Sequence, residues 1–331
     1  MWRRIATLAI GSMLVAGCSE GDAEPADEPT TSISGSAPTS GSASSASPSS
    51  PRQQTPPTAA PFDPGAVLSD VRHLANDIGP REATSSGFRR AAGFVSQRLT
   101  SLGYDVRRTK VAVPAGDSWG VPVEAGTSYN VIADPPGFDG SKPHRIVGAH
   151  LDSVAVSPGA EDNASGIAAM LELARMAAEQ RLAVPVRFIA FGAEEPRGDS
   201  DDLHHFGSTT YVRAMSRPRR ANLTGMVSLD RVGVRAPAVP ICRGGPNGAD
   251  VRRQLMRAAR SVSVSATACE DRASDHWSFE KADLPAARLG SVPYAGYHSA
   301  QDRPRFVDER QVRRVGRIMW RWLRRPLDSG P

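Results

Sequence analysis

The chain has 331 residues, 40% of them hydrophobic, and a formal net charge of +5 at pH 7. This length is sufficient for one large domain with a well-buried core. The charge is modest and basic and aromatic residues do not cluster, so we expect no nucleic-acid partner.

The N-terminus has the pattern of a bacterial secretion signal. Two arginines precede an apolar stretch at residues 5–16, far shorter than the ~20 residues that a membrane-spanning helix needs. The stretch ends in Val15-Ala-Gly-Cys18, which resembles a lipobox, where the cysteine is lipidated and becomes the new N-terminus. We therefore expect residues 1–17 to be a lipoprotein signal peptide and Cys18 to anchor the protein on the extracellular face of the bacterial cell membrane. The alternative is a plain signal peptide with an incidental cysteine.

Residues 18–62 are dominated by Ser, Thr, Pro, Gly and Ala and show no apolar periodicity. Such a segment cannot bury enough surface to offset the entropy of ordering it, so we interpret it as a disordered tether. The folded domain should then occupy residues 63–331.

Helical and strand periodicities alternate through that domain. The predicted helices span residues 67–75, 86–102, 164–180 and 305–323. The predicted strands span residues 106–113, 128–133, 146–150, 186–193 and 225–229. The alternation indicates a single α/β domain with a mainly parallel central sheet and helices on both faces.

The last predicted helix is basic and amphipathic. Its apolar residues share one face, while most of its arginines lie elsewhere. We expect the apolar stripe to pack on the sheet with the arginines in solvent; the alternative is a helix that lies on a membrane surface. The two sets are Val312, Val315, Met319 and Trp322, and Arg313, Arg317, Arg321 and Arg324.

Polar residues follow three of the predicted strands, and in an open α/β sheet ligands bind beyond the strands' carboxyl ends. One such pair alone is more often a hydrogen-bonded couple, but here the pattern repeats. Two imidazoles and several carboxylates without a thiolate suit a divalent ion, with zinc the first choice. The candidates are His150, Asp162, Glu194, Glu195, Asp230 and His298.

The number of candidates indicates two ions rather than one. A catalytic zinc keeps three protein ligands and an open position. Two ions about 3.5–4 Å apart that share one carboxylate would use five ligands, which leaves one acid to act as a base.

Seven short motifs occur in order along the predicted domain. They are His150-Leu-Asp152, Gly159-Ala-Glu-Asp162-Asn-Ala-Ser-Gly166, Glu194-Glu195, Gly207-Ser208 with Tyr211-Val212, Leu229-Asp230, Ser274-Asp-His276, and Tyr297-His298 with Asp302. Together they resemble peptidase family M28, the co-catalytic zinc aminopeptidases of Streptomyces and Vibrio type, from about His73 to Val307. The resemblance implies the zinc-exopeptidase fold and a cis peptide bond between Asp162 and Asn163.

The resemblance also implies a role for each metal ligand. Asp162 matches the family's bridging carboxylate. His150 and Asp230 match the other ligands of one zinc ion, and Glu195 and His298 match those of the second. Two zinc ions per subunit are therefore expected.

Three further residues are implied to assist catalysis. Glu194 matches the general base, which removes a proton from a metal-bound water and delivers it to the leaving amine. Tyr297 matches the phenol that hydrogen-bonds the oxyanion. Asp152 would orient the His150 ring by accepting its other N–H.

These roles imply an aminopeptidase that releases N-terminal residues from peptides with a free N-terminus, and we expect a monomer. Two alternatives remain open. The first is a glutaminyl-cyclase-like acyltransferase or another amidohydrolase on the same scaffold. The second is a non-catalytic binding lipoprotein with the same fold.

The chain departs from the family pattern after Glu195. Residues 196–206 replace a short Gly-containing link, and this insertion could provide an extra ion site or be a solvated loop, which acidic Gly-containing stretches usually are. Arg231 stands where an apolar residue is common, and we expect it to pair with a carboxylate. The insertion's possible ligands are Asp199, Asp201, Asp202, His204 and His205.

Two other groups of residues have a structural interpretation. If Cys18 is lipidated, Cys242 and Cys269 are left as a pair in an oxidising compartment, where a disulfide is expected; two buried thiols are the alternative. Ser274-Asp275-His276 is interpreted as supporting structure, because no serine sits in the nucleophile elbow that a serine triad would need.

Overall fold

The computed structural model describes residues 60–327, all of which belong to one compact unit. The predicted signal peptide, Cys18 and nearly all of the tether lie outside the described residues. None of the described helices is long and apolar enough to cross a membrane.

Eight α-helices are found in the described range, several with identifiable caps. The first begins at Pro64, where the Asp63 carboxylate accepts the Gly65 N–H, an N-cap interaction with proline in the first turn. The helices are α1 Pro64–Arg72, α2 Ser86–Ser101, α3 Ser165–Glu179, α4 Phe206–Arg213, α5 Arg217–Ala221, α6 Ala249–Ser261, α7 His276–Glu280 and α8 Glu309–Leu323.

An eight-stranded sheet forms the centre, and a small two-stranded ribbon, β2 with β3, lies beside it. The main sheet has the order β1-β4-β6-β5-β7-β10-β8-β9. The strands are β1 Asp105–Val113, β2 Gly116–Asp117, β3 Pro122–Val123, β4 Gly126–Asp134, β5 His144–His150, β6 Val186–Phe191, β7 Leu223–Leu229, β8 Val239–Arg243, β9 Ala266–Glu270 and β10 Ala286–Leu289.

The middle of the sheet is parallel and buried on both faces. Strands β6, β5, β7 and β10 pair in parallel, and every residue of β5, β6 and β10 is buried. Continuous apolar strands of this kind are typical of sheets covered on both sides. The predicted α/β class with a mainly parallel centre is thereby confirmed. The predicted strands over residues 106–113 and 128–133 also exist, but they pair antiparallel as β1 and β4.

Two apolar layers enclose the sheet, because successive side chains of a strand point to opposite faces. In β5, Val147 and Ala149 join the larger core under α1, α2, α3, α6 and α8. Ile146 joins the smaller core under α4 and α7. The strands are therefore rigid supports for whatever follows their carboxyl ends.

Helix α8 packs as predicted. Its apolar stripe of Val312, Val315, Met319 and Trp322 is almost completely buried. The guanidinium of Arg145 lies over the Trp322 ring and donates to the carbonyls of Trp322 and Leu323, which ties the helix end to β5. The four arginines on the other faces, 313, 317, 321 and 324, are exposed.

Cys242 and Cys269 form a disulfide between the paired strands β8 and β9, as expected. The bridge closes a segment with a sequence separation of 27 residues. Replacing both cysteines with serine is expected to lower the free energy of unfolding by about 3–4 kcal/mol, because the unfolded chain regains that loop's entropy. Urea unfolding of the double variant and the wild type measures the difference; equal stabilities would contradict the expectation.

Candidate metal centre

Parallel strands deliver polar side chains to one edge of the sheet. His150 is the last residue of β5, and Asp230 directly follows β7. Glu194 and Glu195 follow β6 after a two-residue turn. Because these strands end at the same edge, the four side chains converge on one point.

Asp162 lies between two imidazoles at that point. Its Oδ1 is 3.1 Å from Nε2 of His150, and its Oδ2 is 3.3 Å from Nε2 of His298. Glu195 Oε2 is 3.1 Å from the same His298 nitrogen, and Asp230 Oδ1 is 3.8 Å from the His150 nitrogen. The five predicted ligands thus lie in two groups that have Asp162 in common.

Glu194 reaches the same cluster from one side. Its Oε2 is 3.9 Å from Nε2 of His150. Ligand atoms of His150, Glu194 and Asp230 lie within 4.8 Å of one another, as do those of His150, Asp162 and Glu195. All six candidates from the sequence are therefore brought together.

The carboxylate of Asp152 has a different task from the one expected. The ring of His150 is bonded through Nδ1 to the main-chain carbonyl of Asp152, 3.1 Å away, while the Asp152 carboxylate is 3.8 Å from that nitrogen. The carboxylate instead accepts the backbone N–H groups of Glu194 and Glu195, each at 3.0 Å. It fixes the turn that presents these two acids.

The Asp162 loop is held by polar contacts on both sides. The Asp302 carboxylate accepts the N–H groups of Glu161 and Asp162. The Asn163 amide donates to the Leu229 carbonyl at the end of β7. A Cβ on Gly166 would lie only 2.3 Å from that same carbonyl oxygen, so glycine permits the close approach of α3. The peptide bond between Asp162 and Asn163 is cis, as the resemblance implied.

Two buried arginines support the site, and the sequence patterns did not identify either. The guanidinium of Arg81 donates to five main-chain carbonyls, among them those of Leu151, Pro158 and Gly159 around the loop that follows β5. Arg288 on β10 lies 2.9 Å from Oδ2 of Asp230. Neither arginine belongs to a motif: Arg81 lies in a loop beside Pro80 and Glu82, and Arg288 lies within the short apolar strand β10.

The pKa shifts in the cluster indicate an excess of buried negative charge that bound cations would neutralise. Burial would lower the pKa of His298, but Glu195 and Asp162 raise it to about 10. Burial likewise lowers the pKa of His150, yet Glu194, Asp162 and Asp230 raise it well above its ordinary value. Burial raises the pKa of Glu195 to about 7. Buried carboxylates at this density are costly unless they are paired or coordinate metals.

The donor atoms meet the requirements of zinc. Two ligands around one tetrahedral zinc ion, with bonds of about 2.0–2.1 Å, lie roughly 3.3 Å apart. The contacts of Asp162 Oδ1 with His150 and of Asp162 Oδ2 with His298, 3.1 and 3.3 Å, agree with that spacing. Asp230 Oδ1 and Glu195 Oε1 are buried and have no hydrogen-bond partner within residues 60–327. A set of carboxylate oxygens and imidazole nitrogens with unpartnered acceptors suits such an ion.

The rim of the site is aromatic and basic around a cavity of about 100 Å³. Trp119 from the β2–β3 ribbon is 54% exposed, and its ring meets that of His298 edge-on, with centroids 4.4 Å apart. The guanidinium of Arg231 lies over the Tyr297 ring at 4.5 Å and is 3.6 Å from Asp230 Oδ1, so the expected carboxylate partner exists. Trp119 carries no sequence signal that links it to the site.

Left-handed backbone conformations concentrate at this centre. Non-glycine residues adopt positive φ at a cost, and such residues occur preferentially at functional sites. Those beside the site are Trp119, Ala193, His205, Arg231 and His298, with φ between 49° and 57°.

The insertion after Glu195 is only partly the solvated loop expected. Asp199, Asp201 and Asp202 are exposed, but Arg197 and His205 are buried. Arg197 pairs with Glu82, and His205 contacts Glu194. Among the described residues no metal-ligating group includes a residue of the insertion, so the extra ion site has no support.

The segment Ser274-Asp275-His276 does not form a nucleophilic triad. The hydroxyl of Ser274 is hydrogen-bonded to Ser228, and Nε2 of His276 donates to the carbonyl of Asp271. Both contacts are structural, in agreement with the interpretation from the sequence.

His276 makes stability pH-dependent. Burial and the nearby Arg288 lower the pKa of His276 to about 4. Between pH 6.5 and 4 the unfolded chain binds a proton there that the folded chain does not bind, so stability falls as the pH falls, by about 3 kcal/mol. Urea unfolding of metal-free wild type and His276→Gln at pH 7 and pH 4 should show this extra loss in the wild type alone. Equal losses in both would contradict it.

With the geometry established, comparison with known proteins decides the family. Residues 130–323, more than half of the chain, match the model of peptidase family M28. The chain belongs to peptidase family M28. This confirms the family that the strand-end motifs indicated.

Three curated proteins are similar to this chain in amino-acid sequence. The chain is 29% identical over 243 residues to leupeptin-inactivating enzyme 1 of Streptomyces exfoliatus, covering 70% of this chain and 51% of the relative. It is 29% identical over 204 residues to aminopeptidase YwaD of Bacillus subtilis, covering 58% and 43%. An uncharacterized protein of Escherichia coli, YfbL, is 31% identical over 187 residues, covering 54% and 52%. The chain spans about half the length of the curated relatives it matches.

Solved structures show the same fold. A zinc aminopeptidase from Bacillus subtilis superposes with a TM-score of 0.70 at 18% identity, covering 82% of this chain and 97% of that one. A glutaminyl cyclase from Bacteroides thetaiotaomicron bound to N-acetylhistamine superposes with a TM-score of 0.68 at 19% identity, covering 80% and 98%. The fold is thus common to both kinds of enzyme.

Proposed function

We propose that the protein is a zinc-dependent aminopeptidase with two zinc ions and Glu194 as the general base. The observation that carries the proposal is the position of Asp162, whose two carboxylate oxygens face two different imidazoles. In a two-ion site one carboxylate bridges the ions, with each of its oxygens directed at a different set of ligands. Asp162 has this arrangement.

Each zinc ion would be held by an imidazole and a carboxylate in addition to Asp162. His150 and Asp230 would serve one ion, and Glu195 and His298 the other. When bound, the ions supply polarisation of the scissile carbonyl and acidification of the attacking water. Arg288 would keep Asp230 ionised and oriented through their 2.9 Å contact.

Glu194 would move the proton. It lies beside the cluster, with one oxygen toward His150 and the other toward His205. It accepts a proton from water as the water oxygen attacks the carbonyl carbon, and it returns that proton to the amine nitrogen as the C–N bond breaks. The products are one free amino acid and a peptide shortened by one residue.

Tyr297 would stabilise the negative charge that develops on the carbonyl oxygen. Tyr297 is 38% exposed, lines the cavity, and stacks its ring on that of His298, with centroids 3.8 Å apart. A phenolic donor aimed at a developing oxyanion stabilises the transition state more than the ground state.

The free α-amino group of a substrate would select the cleavage site. A cationic N-terminus is attracted to the carboxylates around the cavity, whereas an acylated N-terminus is not. This electrostatic selection favours exopeptidase cleavage.

The scaffold also supports a second candidate, a glutaminyl-cyclase-like acyltransferase, because solved cyclases share the fold. For a glutaminyl cyclase we would expect one zinc ion. The present chain keeps five ligand residues together, which favours the two-ion peptidase.

We further propose that the protein is attached to the cell membrane through a lipid on Cys18. The lipobox-like sequence supports this, and a disulfide at Cys242–Cys269 agrees with an oxidising compartment. Radiolabelled palmitate should be incorporated into the wild type in cells but not into Cys18→Ser; incorporation in both would contradict the proposal.

Hydrolysis of a panel of aminoacyl-nitroanilides tests the proposed activity. Activity should disappear on chelation, return with added zinc, and be absent for N-acetylated versions of the best substrate. Cyclisation of an N-terminal glutaminyl peptide without nitroanilide hydrolysis would instead favour the acyltransferase. A zinc-loaded protein inactive on all of these would contradict both.

A further inference from the structure

We propose that His205 is a positioning residue that holds the Glu194 carboxylate in its working orientation. The inference rests on the proposed function of Glu194 and concerns a residue of the insertion that the family motifs do not include.

The contact between the two side chains is direct and buried. Nε2 of His205 lies 3.2 Å from Oε1 of Glu194. His205 is 4% exposed and Glu194 is 8% exposed. An ionised carboxylate can only accept, so the imidazole donates from Nε2.

The backbone of the insertion holds the imidazole in place. The His205 N–H donates to the Glu194 carbonyl at 2.9 Å, and the Phe206 N–H donates to the Ala193 carbonyl at 2.8 Å. Helix α4 begins at Phe206, directly after His205. These two backbone hydrogen bonds therefore tie His205 to the turn that carries Glu194.

The two carboxylate oxygens of Glu194 have different neighbours. Oε1 is taken by His205, which leaves Oε2 on the side of the cluster, 3.9 Å from His150 Nε2. Without that bond the carboxylate could rotate about its last torsion, which is broad for glutamate. A base held within hydrogen-bond reach of the proton it removes is the requirement for general-base catalysis.

The surroundings of the His205 imidazole do not suit a side chain that serves only to stabilise the fold. The second nitrogen of His205, Nδ1, is buried and has no hydrogen-bond partner among the described residues. Among the described residues, Glu194 is the side-chain hydrogen-bond partner that the structure shows for this imidazole. A buried polar ring with one free nitrogen would stabilise the fold less than an apolar side chain of the same size.

Three variants separate the positioning role from simple damage. His205→Leu removes the donor. His205→Asn also lacks a donor at the required reach but tolerates the left-handed φ of 56° at this position. His205→Gln restores an N–H donor at nearly the position of Nε2. His73→Gln, at a half-exposed histidine directly after the end of α1, is the matched control.

We expect kcat for the best nitroanilide to fall about 10–100-fold in the Leu and Asn variants, with KM and bound zinc unchanged, and to be largely restored in the Gln variant. Losing precise placement of a catalytic group typically costs about that much. In a Glu194→Gln background, His205→Asn should have no further effect, because both changes act through one carboxylate.

An activity-independent readout comes from ¹⁵N-histidine NMR of the metal-free protein. The His205 resonances, assigned by their loss in His205→Gln, should report an Nε2–H tautomer and shift strongly in Glu194→Gln but not in Glu270→Gln at the surface.

The results of these experiments distinguish a failure of the proposed function from a failure of the role proposed for His205. If Glu194→Gln is fully active, the proposed function fails. If Glu194→Gln is inactive while His205→Asn keeps full kcat, or if the two changes multiply in the double variant, the positioning role of His205 is wrong and the proposed function stands.

Discussion

Replacing Glu194 with Gln is expected to lower kcat about 10²–10⁴-fold, the usual contribution of a general base, with little change in KM. The amide keeps the size of the side chain but cannot accept the proton from water. Bound zinc should be unchanged, because the five ligand residues remain in place. Steady-state kinetics with the best aminoacyl-nitroanilide, together with metal analysis, measures both quantities.

Glu270→Gln is the matched control, since Glu270 is an exposed acid paired with Arg243 on the surface. It should behave as the wild type. An active Glu194→Gln variant, or a loss of activity caused only by lost zinc, would remove the proton-transfer role from Glu194.

Asp162→Asn should have the second large effect. The substitution removes the carboxylate charge that faces both His150 and His298, so each of the two proposed ions would lose an anionic ligand at once. Changes to residues that merely support a metal ligand cost 10–100-fold in affinity or activity. We therefore expect kcat/KM to fall by more than about 10²-fold and at least one zinc ion to be lost from each chain.

Metal analysis after dialysis and calorimetric zinc titration measure the outcome of Asp162→Asn. Asp250→Asn, a change at an exposed acid on α6, is the control. If the Asp162 variant binds as much zinc as the wild type with equal affinity, the bridge is elsewhere and the two-ion proposal needs a different ligand set.

Much of the candidate metal centre could be predicted from the sequence because several of its residues are at the ends of strongly patterned strands. His150 and Asp230 directly follow or end apolar runs that form β5 and β7, and parallel strands necessarily end together. The order of the strands in the sheet was not needed for that inference. Residue type at a strand end was sufficient.

Supporting residues could not be predicted in the same way. Arg288 comes from β10, a strand of four residues between turns, and Trp119 comes from a two-stranded ribbon with strands of two residues. Segments this short carry little periodicity, so neither their structure nor their partners could be inferred. The strands β8 and β9 and the helices α4, α5 and α7 are similarly short, with five to eight residues each, and the sequence patterns did not identify them either.

Two details depended on main-chain geometry that side-chain patterns do not encode. Nδ1 of His150 is hydrogen-bonded to the backbone carbonyl of Asp152 and not to the Asp152 carboxylate. His205 lies in a stretch rich in exposed acids, which predicted a solvated loop, yet the chain folds back so that this residue reaches Glu194. A loop's composition indicates exposure on average but not the burial of one residue within it.

The most direct test of the account is a zinc-loaded crystal structure with anomalous data collected above and below the zinc edge. We expect two zinc peaks about 3.5–4 Å apart. Both should contact Asp162, one together with His150 and Asp230 and the other together with Glu195 and His298. A single peak, or two peaks without a shared Asp162, would contradict it.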